Sequence, residues 1–150
     1  MKKLLTIIAT LSLFALVGTG TARAQVTDAV VADIPFEFTV DNATLPAGRY
    51  TIKPFGAIPE NLMAIASEEG KILRVFIIHD EKAKEPPHQA ELLFHRVGDR
   101  YFLHQVFDQE NGIGAELRET RVERRLETQA AKTNNDGYVT VAALTTNSNR

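Results

Sequence analysis

The sequence contains no cysteine and no tryptophan. The absence of cysteine excludes disulfide bridges, thiol catalysis, thiolate metal sites and a lipid anchor attached through an N-terminal cysteine. A domain built from this chain must therefore hold itself together by burying apolar side chains. With 44% hydrophobic residues overall, residues 25–150 are enough for such a core, and one domain is expected.

Serine and basic stretches are also scarce. Beyond residue 24, serine occurs only as Ser67, beside a predicted tight turn, and as Ser148, near the end of the chain. Neither position resembles a nucleophile elbow, so a serine hydrolase is not expected.

The chain has 17 basic and 19 acidic residues and no long basic stripe. Because phosphate neutralisation supplies most of the affinity for nucleic acid, we expect no nucleic-acid partner.

Residues 1–24 have the three parts of a secretory signal peptide. Two lysines give a positive start, residues 4–17 are almost wholly apolar, and residues 22–24 read Ala-Arg-Ala. The apolar run is shorter than the roughly 20 residues of a membrane-spanning helix. We therefore predict cleavage between Ala24 and Gln25, an exported protein in the periplasm or outside the cell, and no transmembrane span in the mature form. Losing three basic residues lowers the formal net charge from −2 to −5.

The clearest strand pattern lies in residues 30–40. Its even-numbered positions are apolar, and its odd-numbered positions from Asp33 onwards are mostly polar. Successive side chains of a strand point to opposite faces, so the pattern predicts a buried face that contains Phe36 and Phe38. The following LPAGRY predicts a turn and a returning strand that Pro54 ends or marks as an edge.

Two further hairpins are predicted from turn residues between apolar runs. Residues 62–67 and 72–78 flank Gly70, which suits the left-handed position of a three-residue loop. The side chains expected to share the core face of this hairpin are Met63, Ile65, Leu73, Val75 and Ile77. Residues 90–97 and 100–107 flank Gly98-Asp99, which suits a type II′ turn.

The last part of the domain is predicted to contain a helix and one more strand. Residues 115–132 are rich in good helix formers, with an apolar stripe of Val122, Leu126 and Ala130. Residues 138–144 suit a strand, and residues 145–150 suit a disordered tail.

The prediction is a mainly β domain over residues 25–144. It is expected to be an antiparallel sandwich or small barrel of about six to seven short strands with one C-terminal helix.

Three runs of the sequence carry a resemblance. IPFEFTV, LPAGRYTI and ELLFHRVGDRYFLHQV resemble a group of small exported β-rich proteins of soil bacteria. The resemblance covers roughly residues 30–125. It implies export and a β-rich domain, and it carries over no activity, ligand or catalytic residue.

A metal site is one hypothesis, because all the histidines fall in one segment. They are His79, His88, His95 and His104. In the predicted hairpin His95 faces Phe102, which places His95 and His104 diagonally on one face, where they could supply two ligands to zinc or copper. No short His-x-His or His-x-x-x-His pair is present. Two half-buried, hydrogen-bonded histidines are the alternative.

Other patterns suggest binding. Arg118, Arg121, Arg124 and Arg125 could meet an acidic partner, but the interleaved Glu119, Glu123 and Glu127 favour a solvated face. A small apolar ligand could occupy a barrel interior, although the residues named for its lining more often fill a core. Those residues are Phe36, Phe38, Tyr50, Phe94 and Phe102. Gly112-Ile113-Gly114 is a poor dinucleotide loop and suits a helix-entry loop.

The expected function is binding or scaffolding by an exported, non-enzymatic β-domain in the cell envelope. Its partner would be a protein or a small apolar ligand, and no cofactor or catalytic residue is predicted. The alternatives are a metal-binding protein or metal-dependent enzyme that uses His95 and His104, and a carrier of a small apolar ligand.

Overall fold

The structure is a computed structural model that describes residues 28–56, 61–82, 87–109, 113–130 and 136–146. The predicted signal peptide and its cleavage site lie outside these residues, as does most of the predicted tail. Among the residues described, no helix has the length and apolar character needed to cross a membrane.

The described chain is mainly β, as predicted, with one helix. The strands are β1 (Ala29–Ile34), β2 (Phe38–Val40), β3 (Ala43–Leu45), β4 (Gly48–Pro54), β5 (Leu62–Ser67), β6 (Ile72–Lys82), β7 (Glu91–Val97), β8 (Arg100–Phe107), β9 (Ile113–Leu117), β10 (Asp136–Ala142) and β11 (Leu144–Thr146). The helix α1 spans Arg121–Ala130. The count of eleven exceeds the predicted six to seven, because β3, β9 and β11 were expected to be turn, helix and tail, and because the first predicted strand is divided in two.

The strands form one strongly wrapped sheet. Its order is β10-β7-β8-β9-β6-β5-β4-β1-β11, and β2 and β3 join at β8. The long strand β6 belongs to both halves, since Leu62 to Ala66 of β5 pair with its first part and β9 pairs with its last five residues. The two ends of the order, β10 and β11, are separated along the chain only by Ala143, whose N–H donates to the Ala90 carbonyl at 2.8 Å. The sheet thus returns on itself without closing.

The first predicted strand divides at Pro35. Residues before it form β1, which pairs with β4, and residues after it form β2, which pairs with β3 and, in parallel, with β8. Proline has no N–H for a ladder, and the break lets the chain pass between the two halves of the sheet. The predicted alternation continues on both sides of this break, since Ile34 and Phe38 are buried and Phe36 is half-buried. Thr39 is an exception, because it is buried although it lies on the predicted polar face.

Aromatic rings fill the space between the two halves. Phe36 and Phe38 each meet Phe94 edge to face, and Phe38 meets Tyr50 in the same way. Phe102 packs elsewhere, in a small cluster with Val97, Leu126 and Ala130 beneath the helix. Four of the five residues predicted as a possible ligand lining therefore contact one another in the core.

The β5–β6 hairpin has the predicted turn, and Met63 and Ile65 of β5 are buried as predicted, but the predicted face of β6 is wrong. Gly70 has a φ of 80°, and the Ser67 N–H donates to the Lys71 carbonyl. The pairing then shifts between Ile65 and Ala66, which leaves Leu73 as an extra residue. One extra residue reverses the parity of everything beyond it. Phe76 and Ile78 are therefore buried, and Ile77, predicted to lie in the core, is 58% exposed.

The helix begins later than predicted. Residues predicted as its first turns form β9, whose Ala115 and Leu117 alternate into the core. Pairing with β6 and β8 outweighs the helix propensity of this segment, because propensity is a weak preference that tertiary contacts override. Gly114, predicted to lie in a helix-entry loop, is part of this strand.

Candidate functional site

The helix α1 separates its acidic from its basic side chains. Glu123 and Ala130 are buried and Leu126 and Glu127 are half-buried, so these residues face the sheet. Val122, predicted to lie on the packed stripe, is 46% exposed, and Glu123 takes its place. The mixed face predicted from the interleaved glutamates is therefore present only in part, because Glu123 is buried and Glu127 is half-buried, whereas Glu119 lines the same depression as Arg118 and Arg124.

The basic side chains lie on the opposite side. We define the arginine face as Arg118, Arg121, Arg124 and Arg125, all of which are exposed. None of their guanidinium groups forms an ion pair with any residue that the structure describes. The chain therefore presents a concentrated positive surface on a protein whose net charge is negative.

Two adjoining depressions lie beside the arginine face, and together we call them the groove. The first has a volume of about 410 Å³ and is lined by Asp41, Val75, Phe76, Ile77, His79, Leu117 and Arg118. The second has a volume of about 530 Å³ and is lined by His79, Glu116, Leu117, Arg118, Glu119 and Arg124. They share the side chains of His79, Leu117 and Arg118. The groove therefore leads from an apolar floor to the arginine face.

A second candidate site is formed by a buried histidine that lies between two carboxylates. His95 on β7 is only 3% exposed, and both of its ring nitrogens meet carboxylates from other elements. Nδ1 lies 2.9 Å from Glu123 Oε1 of α1, and Nε2 lies 2.7 Å from Asp136 Oδ1 at the start of β10. One side chain therefore connects the helix to two adjacent strands.

Glu123 is held in place by the start of the helix. The Glu123 N–H donates to Thr120 Oγ1 at 3.1 Å, and the Thr120 N–H donates to Glu123 Oε2 at 3.2 Å. These reciprocal bonds form a capping box, in which the first helical turn satisfies its own free N–H groups. Oε2 is occupied by the cap, and Oε1 is directed at His95.

The buried pair holds a proton more tightly than the free groups would. Burial alone lowers the pKa of the His95 imidazole, but the hydrogen bonds and charges of Glu123 and Asp136 outweigh burial and raise that pKa above its ordinary value. Burial also raises the pKa of the Glu123 carboxyl, against the bonds from His95 and Thr120 that lower it. Both shifts favour a bound proton at this position.

The predicted histidine pair comes together only in part. The ring centroids of His95 and His104 are 6.3 Å apart, and Tyr138 stacks on His95 with its centroid 5.0 Å away. His104 Nε2 lies 3.7 Å from Glu116 Oε1, on the side of β9. The other two predicted candidates lie apart from this pair, with exposed His79 in the groove and exposed His88 just before β7.

The ligand atoms closest to His95 belong to carboxylates. Three potential metal-ligand atoms lie within 4.8 Å of one another, and they belong one each to His95, Glu127 and Asp136. Neither acidic residue was predicted from the sequence, since Asp136 was read as loop and Glu127 as solvated surface. The sequence does carry one signal for Glu123, because Thr120-x-x-Glu123 is a capping-box pattern.

Comparisons of this chain with protein-family models, curated proteins and solved structures found no match. Function therefore has to be inferred from the geometry described above.

Proposed function

We propose that the protein is an exported, non-enzymatic β-domain of the cell envelope that binds an acidic segment of a partner protein along the arginine face and the groove. The observation that carries the proposal is a set of exposed arginines that form no ion pair with a described residue, beside an apolar depression. Guanidinium groups bind carboxylates through two parallel hydrogen bonds, so such a surface selects acidic side chains.

The shape of the surface favours a protein segment over a membrane. The apolar side chains beside the arginines line a depression, where Leu117 is buried and Ile77 forms an exposed wall. A flat lipid surface meets protruding side chains better than recessed ones. An extended segment can place apolar side chains in the depression while its carboxylates reach Arg118 and Arg124.

A small apolar ligand is less well supported. The aromatic side chains named for its lining pack edge to face in the core, so they already have partners. The groove, with about 410 Å³ in its more apolar part, has the size typical of small-molecule sites. Arg118 and Arg124 at its edge suit an anionic ligand better than a neutral one, although Asp41, Glu116 and Glu119 also line the groove.

The test uses a fluorescent synthetic peptide of twelve residues that alternates glutamate with leucine or valine. Fluorescence anisotropy should show binding that weakens as salt rises, because the contact depends on charge. Replacing Arg118 and Arg124 together by glutamate should weaken binding at least about tenfold, which corresponds to about 1.4 kcal/mol.

In the matched control, glutamate replaces Arg49 and Lys53, two exposed cations on strand β4, so that the same number of charges is reversed away from the arginine face. This variant should bind the peptide as the wild type does. The proposal fails if the peptide with lysine in place of glutamate binds equally well, or if both double variants lose affinity alike. It also fails if vesicles that contain phosphatidylglycerol bind and the acidic peptide does not.

A further inference from the structure

We infer that His95, Glu127 and Asp136 form a binding site for a divalent transition ion such as zinc. The site differs from the predicted pair of histidines, because carboxylates from α1 and β10 take the place of His104. It is also separate from the proposed binding surface, which lies on the other side of the helix.

The buried Glu123 carboxylate orients the proposed ligand. A histidine that binds a metal through one ring nitrogen usually donates its other N–H to a carboxylate, which fixes the tautomer and the ring direction. Here Glu123 Oε1 lies 2.9 Å from His95 Nδ1, and Glu123 is only 4% exposed. When Nδ1 carries the proton and donates it to Glu123, the lone pair of Nε2 points towards Asp136.

The short contact between His95 Nε2 and Asp136 Oδ1 can hold either a proton or a metal ion. With a proton on Nδ1 only, Nε2 and the carboxylate oxygen 2.7 Å away are both acceptors, and they repel each other unless something positive lies between them. A proton on Nε2 satisfies the pair in the metal-free protein. A metal ion that replaces this proton could also reach the ligand atom of Glu127.

Glu127 completes the set from the helix. It lies one turn after Glu123, so both side chains reach the same part of the sheet. The Glu127 carboxylate is half-buried and forms no hydrogen bond or ion pair with any residue in the described part of the chain. It is therefore available as a ligand near His95 and Asp136.

The distance between His95 and Asp136 needs only a small adjustment, whereas the Glu127 ligand atom lies within 4.8 Å of the other two and would have to move closer. A tetrahedral ion about 2.0–2.1 Å from each ligand atom holds two such atoms roughly 3.3 Å apart. The Asp136 carboxylate would therefore move outwards by about 0.6 Å. Its side chain is 33% exposed and sits at the first residue of β10, so the movement is open to it. One nitrogen and two carboxylate oxygens suit zinc better than calcium or magnesium, which prefer sites made only of oxygen.

The test is isothermal titration of untagged, chelator-treated full-length protein with zinc chloride. We expect one ion per chain and a zinc-dependent rise in Tm. Glu127→Gln and Asp136→Asn should each weaken zinc binding at least about tenfold, and Glu123→Gln should weaken it about 10–100-fold as a positioning residue. Because Glu127 has no hydrogen bond to another described residue, Glu127→Gln should melt like the wild type without zinc, which would show that the variant folds.

The matched controls are Glu119→Gln, which removes a nearby charge but no ligand atom, and His104→Gln. Both variants should bind zinc within about threefold of the wild type. Glu119→Gln removes a charge whose effect on the ion is screened, and neither substitution removes a proposed ligand atom. The inference is overturned if no stoichiometric zinc binds or if Glu127→Gln binds as tightly as the wild type. It is also overturned if calcium binds as tightly as zinc, or if His104→Gln weakens binding as much as Glu127→Gln.

Discussion

Replacing Gly114 by alanine should destabilise the fold through a clash between two strands. Gly114 is a buried residue of β9, and a Cβ atom there would lie 2.4 Å from ring carbons of Phe107 on β8. It would also lie 2.8 Å from the Val106 carbonyl oxygen, which is backbone and cannot rotate away. Phe107 is itself buried, so its ring has little free space to enter.

The cost is that of forcing an extra methyl group into a packed core, about 1–3 kcal/mol. For a chain of this size, each kcal/mol corresponds to about 2–4 °C in Tm. Because the chain has no tryptophan, urea unfolding is best followed by circular dichroism of the β-strand signal. We expect a lower urea midpoint and an unchanged m-value for Gly114→Ala.

Gly137 supplies the matched control. It also lies in a strand, and no atom lies within 4 Å of the Cβ that alanine would add. Gly137→Ala should keep the wild-type midpoint or raise it slightly, since alanine restricts the unfolded chain by about 0.4–1 kcal/mol. Equal stability of the two variants would refute the close approach of β8 and β9 at Gly114.

Three further substitutions test other parts of the fold by the same urea titration. Thr120→Ala removes the helix cap and should cost about 0.5–2 kcal/mol, with loss of helical signal. Phe94→Ala empties the centre of the aromatic core and should cost about 3–5 kcal/mol. Arg49→Ala should change stability by less than about 1 kcal/mol, because its ion pair with Asp33 is 3.7 Å long and exposed. A large effect of Arg49→Ala, or none of Phe94→Ala, would contradict the described packing.

Alternation of apolar and polar residues predicts most strands of this fold correctly. Ile34 and Phe38 are buried and Asp33 is exposed, because a strand that covers a core on one face needs this pattern. The parity fails beyond Leu73, where a bulge inserts one residue. Nothing in the local sequence marks a bulge there, and it is seen only in the pairing of β6 with β5.

The start of the helix shows the limit of composition. The sequence from Ala115 to Leu117 is as rich in helix formers as the helix itself, yet it pairs with the preceding strand β8 and with β6, which is distant in the chain. Propensity describes an isolated segment, and those partners are known only once the fold is formed. The capping box at Thr120 is a local signal that places the helix start correctly.

The site around His95 could be predicted only in part. Hairpin geometry places His95 near His104, because both lie on strands joined by a two-residue turn. The carboxylates that contact or approach His95 come from α1 and β10, which lie about 28 to 41 residues further along the chain. The spacing of these residues in the sequence does not predict their contacts, because the contacts form only when the helix lies across β7.

The pairing of β1 with β11 sets an order of events for folding. Ala29 lies opposite Thr146, so the first strand of the described chain is completed by the last. Contacts between such distant residues are costly to form and slow folding towards the range of milliseconds to seconds. The edge of β1 therefore remains open until β11 has been synthesised, and a chain shortened before Leu144 would leave that edge available to another molecule.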